Sequence, residues 1–260
     1  MFINVEDARI FATAFGVPSA PAIVGIGGWT GDWELWLDSF ALLSDQWRTI
    51  AYDHRGSGAT IASVESITLE RMVDDLFFVM DTFGVQRSVI AAESAGARTA
   101  LAAALKHPER VSALVLVDGL VQNDTPAEKD VFMAKLQANF LGTLQGFINA
   151  CLPDPNDAHL RRWGMQMLTR ATPESAMQLL HTAKTPDIRA DIKRINQPTL
   201  LIHCTGDAIV SVESARWLAA ELPHAQLHLF DSGEHVPTIT RSGEVVQVMR
   251  GFLKNVHIER

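Results

Sequence analysis

The sequence predicts an α/β protein, a mostly parallel sheet covered by helices on both faces. Short, largely apolar runs of strand length recur along the chain, at residues 21–26, 88–92, 113–117 and 198–204, as expected for strands buried on both sides. Between them lie segments whose apolar residues recur at three and four, the period of a helix. A third observation is the passage at Ser94. There an apolar strand run ends in Ala92-Glu93-Ser94-Ala95-Gly96, and an alanine-rich helical stretch follows to about His107.

Residues 2–15 alternate loosely and read as one or two antiparallel edge strands. Residues 21–26 form a short buried strand that runs into Gly27-Gly28-Trp29, and residues 35–44 read as helix. The strand at 47–53 is ended by His54-Arg55-Gly56-Ser57-Gly58. From Leu69 to Phe83 the apolar positions follow the helical period, with Thr68 as N-cap and Gly84 as the stop. After the strand and helix around Ser94 comes a strand over 113–118. From Gly119 to about Asn196 the strand signal disappears; the pattern is helical, interrupted at Pro126, Pro153, Pro155, Pro173 and Pro186. Residues 120–196 therefore read as a helical cap inserted into a core made of residues 1–119 and 197–260. The sheet resumes at 198–204, then a helix over 212–222, a last strand at 225–230 and a closing helix over about 241–255.

Composition narrows the function by exclusion. With 260 residues, 47% of them hydrophobic and 20% charged, the chain can bury a substantial core. A net charge of −8 argues against nucleic acid or an anionic membrane as partner. No run approaches the ~18 apolar residues of a membrane span, and the first residues carry acids where a secretory signal would be basic. Cys151 and Cys204 cannot make a disulfide framework and read as reduced residues of core or lid. The expectation is a cytoplasmic protein, monomer or homodimer, acting on a small molecule.

Ser94 stands between a buried strand and a helix, with small residues two places to either side. That arrangement fits a nucleophile elbow, whose turn is so tight that a large side chain at Ala92 or Gly96 would strike backbone. The helix that begins there points its free amides at any negative charge developing on the serine's substrate. The remaining candidate polar groups also fall where strands end and loops begin, the edge at which open α/β sheets bind ligands.

Five features in order then resemble the α/β-hydrolase fold family over essentially the whole chain. They are Gly27-Gly28-Trp29 with Trp36 beyond it, Asp53-His54-Arg55-Gly56-Ser57-Gly58, the elbow, Gly206-Asp207, and Gly233-Glu234-His235. The stretch from Arg71 to Gly119 is similar to the small bacterial esterase and signalling-hydrolase branch. The resemblance implies Ser94 as nucleophile, His235 as base and Asp207 as the acid, with Asp118 as the rival acid because some relatives place it after the preceding strand. It also implies the amides of Ala95 and Trp29 as oxyanion donors. The family often has histidine before Gly28, where this chain has Gly27. It implies no cofactor, and no metal-ligand spacing is visible in the sequence.

Other residues have plainer readings. His54 reads as structural, helping to close its turn, and His203 as a core or interface residue within a strand. Asp53 and Arg55 read as a turn and a salt bridge. Glu93 is either a buried hydrogen-bonded group or part of the pocket. Trp36 and Trp47 read as core, Trp29 and Trp33 as aromatic walls of an apolar pocket beside Gly28, and Phe132, Leu136, Phe140 and Met165 as its roof from the cap. The reaction expected is cleavage of small, mostly apolar esters or lactones through an acyl-enzyme. The alternatives are a ligand sensor on the same scaffold and a carbon–carbon bond hydrolase with the same triad.

Overall fold

A computed structural model describes residues 1–121, 126–182 and 187–256, without the side chains of residues 126–130. The chain opens with β1 (Phe2–Val5), β2 (Ala8–Phe15) and β3 (Ala22–Ile26), then α1 (Leu37–Leu43), β4 (Arg48–Tyr52) and the two-residue β5 (Ile61–Ala62). Next come α2 (Leu69–Thr82), β6 (Ser88–Glu93), α3 (Gly96–Lys106) and β7 (Val111–Val117). Four helices follow, α4 (Pro126–Ala138), α5 (Phe140–Cys151), α6 (Ala158–Leu168) and α7 (Pro173–Thr182). The chain closes with β8 (Thr199–Cys204), α8 (Val212–Glu221), β9 (Ala225–Phe230), the short α9 (Pro237–Thr240) and α10 (Ser242–Leu253).

The strands form one sheet in the order β1-β2-β4-β3-β6-β7-β8-β9, with β5 attached to β2. Only the pairings of β1, β2 and β5 are antiparallel; the other pairings, from β4 to β9, are parallel, as the largely apolar runs of the central strands predict. Alternate side chains of one strand feed two different cores. Leu114 and Leu116 of β7 pack with α2 and α3, whereas Ala113, Val115 and Val117 face α1, α10 and the inserted helices. Local signals set the ends of α2: Thr68 Oγ1 accepts the amide of Arg71, and Gly84 adopts φ 69° just beyond the last turn. Instead of one helix over 35–44, Asp32 caps a 3-10 turn, Trp33–Trp36, that leads into α1.

Between β7 and β8 the described residues hold no strand. Helices α4 to α7 pack on one another, while the 3-10 segment Arg189–Arg194 has already returned to α3 and α8. Polar ties fix the inserted helices to the sheet's loops: Trp29 Nε1 donates to Ala176 O at 2.8 Å, and Trp163 Nε1 to Glu34 Oε2 at 2.8 Å. Arg170 bridges Asp32 and Glu34. No helix among the described residues is long and apolar enough to cross a membrane.

Candidate active site

Because β3, β4, β6, β7 and β8 run parallel with β9, the residues that follow them gather at one edge of the sheet. Ser94 follows the central strand β6 and sits at φ 51°, a left-handed conformation that non-glycine residues rarely keep. Two long-range backbone bonds hold it there, Ser94 N to Val117 O and Leu120 N to Ser94 O, both 2.9 Å. The small residue at position 96 is required by space: a Cβ on Gly96 would lie 2.4 Å from Gly27 O.

His235, in the loop after β9, presents Nε2 to Ser94 Oγ at 2.9 Å and Nδ1 to Asp207 Oδ2 at 2.6 Å. With the proton on Nδ1 shared with the carboxylate, Nε2 is free to accept the serine's proton. The second oxygen of Asp207 accepts the amides of Ile209 at 2.7 Å and Val210 at 3.1 Å, so the carboxylate cannot turn. The amide of His235 itself donates to Cys151 O at 2.9 Å, tying the loop to the end of α5. Asp118 points elsewhere. Its Oδ1 accepts the amide of Cys204 and lies 3.6 Å from His203 Nδ1, and burial pushes its carboxyl well above the usual range. The rival acid is therefore not the partner of His235.

Gly28 lies against the serine, for a Cβ there would be 3.2 Å from Ser94 Cβ. The absence of a side chain at position 27 also has a steric cause, since a Cβ would meet Gly31 O at 2.6 Å. His54 does more than close its own turn. Its Nδ1 stands 2.9 Å from Arg55 O, but its Nε2 reaches Gly28 O at 2.8 Å. Arg55 is buried and paired with Asp75 and Asp7, and Asp53 takes the amides of Trp33 and Ala59. Burial raises the Asp53 carboxyl to about 6.

A cavity of about 40 Å³ adjoins Ser94, Glu93 and His235; its apolar wall comes from Trp29, Leu35, Phe147, Ile148, Met167 and Leu168. Trp29 is in place, its ring edge-on to Phe132 and Phe147. Trp33 is not. Its ring packs on Phe11 and Phe15 of β2, because the capped 3-10 turn directs it to the antiparallel edge of the sheet. Phe132 touches Trp29 from the outer side, Leu136 is buried among the inserted helices, and Phe140 and Met165 pack against the same cluster. None of these four lines the cavity at Ser94. The helical period showed that their faces were buried but not what buried them.

Two buried ionisable groups, Glu93 and His203, adjoin the site. Glu93 Oε2 accepts Thr238 Oγ1 at 2.7 Å, and burial pushes its carboxyl to about 8. His203 is a core histidine, as expected, with Nε2 at 2.9 Å from Val210 O. It lies between Asp118 and Asp207, and these three could offer ligand atoms to a cation within 4.8 Å of one another. Both oxygens of Asp207 are already engaged by His235 and by two amides, so a cation there would compete with the hydrogen bonds just described.

The profile of the alpha/beta hydrolase fold matches residues 21–162, more than half of the chain. The chain belongs to the α/β-hydrolase fold family. Among its relatives is a Klebsiella pneumoniae protein named "Putative carbamate hydrolase RutD", 27% identical over 249 residues, covering 91% of this chain and 92% of that protein. An esterase from Exiguobacterium antarcticum superposes with a TM-score of 0.91 at 20% identity, over 98% of this chain and 99% of that one. An enol-lactonase from Burkholderia xenovorans LB400 gives a TM-score of 0.91 at 21% identity, over 98% and 100%. Within this α/β-hydrolase chain, sequence reasoning passed over Ile148, Cys151 and Val236 at the cavity. Their signal was positional: Cys151 ends a helix and Val236 adjoins His235.

Proposed function

We propose that the protein is a serine hydrolase that cleaves small, mostly apolar carboxylic esters or lactones through an acyl-enzyme. The observation that carries the reading is the unbroken hydrogen-bonded chain from Asp207 through His235 to Ser94. In this mechanism His235 takes the serine proton as Ser94 Oγ attacks the carbonyl carbon, and Asp207 stabilises the imidazolium that results. The amides of Trp29 and Ala95 hold the oxyanion, and removing one such donor typically costs about 10²–10³ in rate. His235 then hands the proton to the leaving alkoxide, and the acyl group stays on Ser94. Water, activated by the same imidazole, releases the acid. No cofactor enters any step.

The cavity favours short acyl groups. One water needs roughly 10–15 Å³ of such space, so about 40 Å³ admits an acyl chain of a few atoms without movement of the inserted helices. Those helices act as a cap, which gives selectivity to residues such as Phe147 and Met167. A carbamate is a second candidate, favoured by the name of the Klebsiella relative; it needs the same acyl transfer with nitrogen on the acyl side. Both cysteines are free and buried, which fits a reducing compartment and an assignment to the cytoplasm.

Hydrolysis of p-nitrophenyl acetate, butyrate and octanoate, small lactones and aryl carbamates tests the proposal. Acetate and butyrate are expected to exceed octanoate, with activity lost in Ser94→Ala. A Ser94→Ala protein that works at the parental rate overturns the serine mechanism.

A further inference from the structure

We propose that His54 is a positioning residue for oxyanion stabilisation: by holding the carbonyl of Gly28 it aims the amide of Trp29 at Ser94. This rests on the acyl-transfer reading above and adds a part to it. In a trans peptide the C=O and the N–H point in opposite directions across one rigid plane. The carbonyl of Gly28 and the amide of Trp29 belong to the same plane, so whatever fixes one fixes the other. His54 Nε2 lies 2.8 Å from Gly28 O. On the other side of that residue, the Cβ position of Gly28 is 3.2 Å from Ser94 Cβ and 3.7 Å from Glu93 O. The peptide is thus pinned between a ring behind it and the nucleophile in front.

The loop has little of its own with which to do this. A Cβ at Gly27 would strike Gly31 O at 2.6 Å, so no side chain at that position can serve as a brace. With glycines at 27, 28 and 31, backbone freedom is high. A peptide flip at 28–29 would turn the Trp29 amide away from the reacting oxygen. The brace comes instead from the neighbouring loop, which is itself immobilised. Ser57 donates both its amide and its hydroxyl to His54 O, at 3.1 and 3.0 Å, and the adjacent Arg55 is locked to Asp75 and Asp7. Burial keeps the His54 ring below its ordinary pKa, hence neutral with one N–H, while both ring nitrogens face carbonyls. The proposal requires that N–H on Nε2. A ring that serves only its own turn would keep it on Nδ1, toward Arg55 O.

Asparagine can replace Nδ1 of histidine and glutamine can replace Nε2, so His54→Asn and His54→Gln separate the two roles. Both are assayed beside the parent with p-nitrophenyl acetate and its thionoester, whose sulfur fits an oxyanion site poorly. His54→Asn is expected to lose about tenfold to a hundredfold in kcat with KM within about twofold, short of the full loss of a donor. Its preference for ester over thionoester falls, and His54→Gln recovers most of both. If His54→Asn keeps kcat and that preference within about twofold of the parent, the positioning role is overturned. The ¹⁵N resonances of histidine-labelled parent protein decide independently of whether a variant folds: His54 protonated at Nε2 supports the role, and a bare Nε2 overturns it. A parent that hydrolyses neither substrate overturns the esterase reading itself; an active parent matched by His54→Asn overturns only this inference.

Discussion

Asp207 and Asp118 lie on adjacent strand ends, and their hydrogen-bond partners separate them. Asp207 presents its Oδ2 to His235, whereas Asp118 Oδ1 accepts the amide of Cys204. Asp207→Asn is therefore expected to lose about 10³–10⁴ in kcat, as in a triad whose base is left in the wrong tautomer, and Asp118→Asn to stay within about threefold of the parent. Equal losses in steady-state assays would contradict the assignment. Glu93 gives a different signature. Its folded-state pKa is raised from 4.5 to about 8, so between those values the folded chain keeps a proton that the unfolded chain has released. Stability contributed by this group must fall as pH rises through that window. Urea midpoints of Glu93→Gln relative to the parent should rise from about pH 5 to about pH 8, by at most about 1.4 kcal/mol per pH unit. Parallel pH curves would contradict it. The residues that the structure links by hydrogen bonds, Ser94, His235 and Asp207, were legible because each follows a strand in a loop of small residues. The second role of His54 was not, since its partner Gly28 lies 26 positions away and a long-range bond leaves no local mark.

At the level of elements, the elbow depends on how closely β3 and α3 can approach. Gly96→Ala would place a methyl 2.4 Å from Gly27 O and 3.2 Å from Ile26 Cγ2, and backbone on that side cannot swing away as a flexible side chain could. The variant is expected to lose about 1–3 kcal/mol of stability and at least about tenfold in kcat, through displacement of the loop bearing Trp29. Chemical denaturation and kinetics on one preparation check both; an Ala variant as stable and active as the parent would contradict the packing. Strands β3, β6, β7 and β8 were readable because burial on both faces keeps their runs largely apolar, with few polar residues such as Ser112 and His203 inside them. The two-residue β5, with Ile61 exposed, carries no such pattern. Trp33 was misdirected because it was read with the loop that follows Gly28, whereas the 3-10 turn it opens carries its ring to Phe11 and Phe15.

Across the whole molecule, the inserted helices are held over the site by a few polar ties as well as by apolar contact. Arg170 reaches buried Asp32 and half-buried Glu34, and is itself exposed enough for solvent to screen it. Arg170→Met should cost about 1–2 kcal/mol, less than a fully buried pair. It should also weaken the salt dependence of the parent's melting temperature; an unchanged salt dependence would show that the tie contributes nothing. The sequence made the insertion visible as a long helical stretch. It could not show that α5 ends at the loop bearing His235, where Cys151 O accepts the amide of His235, so Ile148, Cys151 and Val236 were passed over at the cavity.

Labelling with a fluorophosphonate, followed by peptide mass mapping, tests most directly whether Ser94 is an activated nucleophile, because it needs no knowledge of the substrate. One adduct is expected, on the peptide containing Ser94, absent from Ser94→Ala and formed at least about a hundredfold more slowly in His235→Ala. An adduct on another residue, or equal labelling of the parent and His235→Ala, would contradict the account.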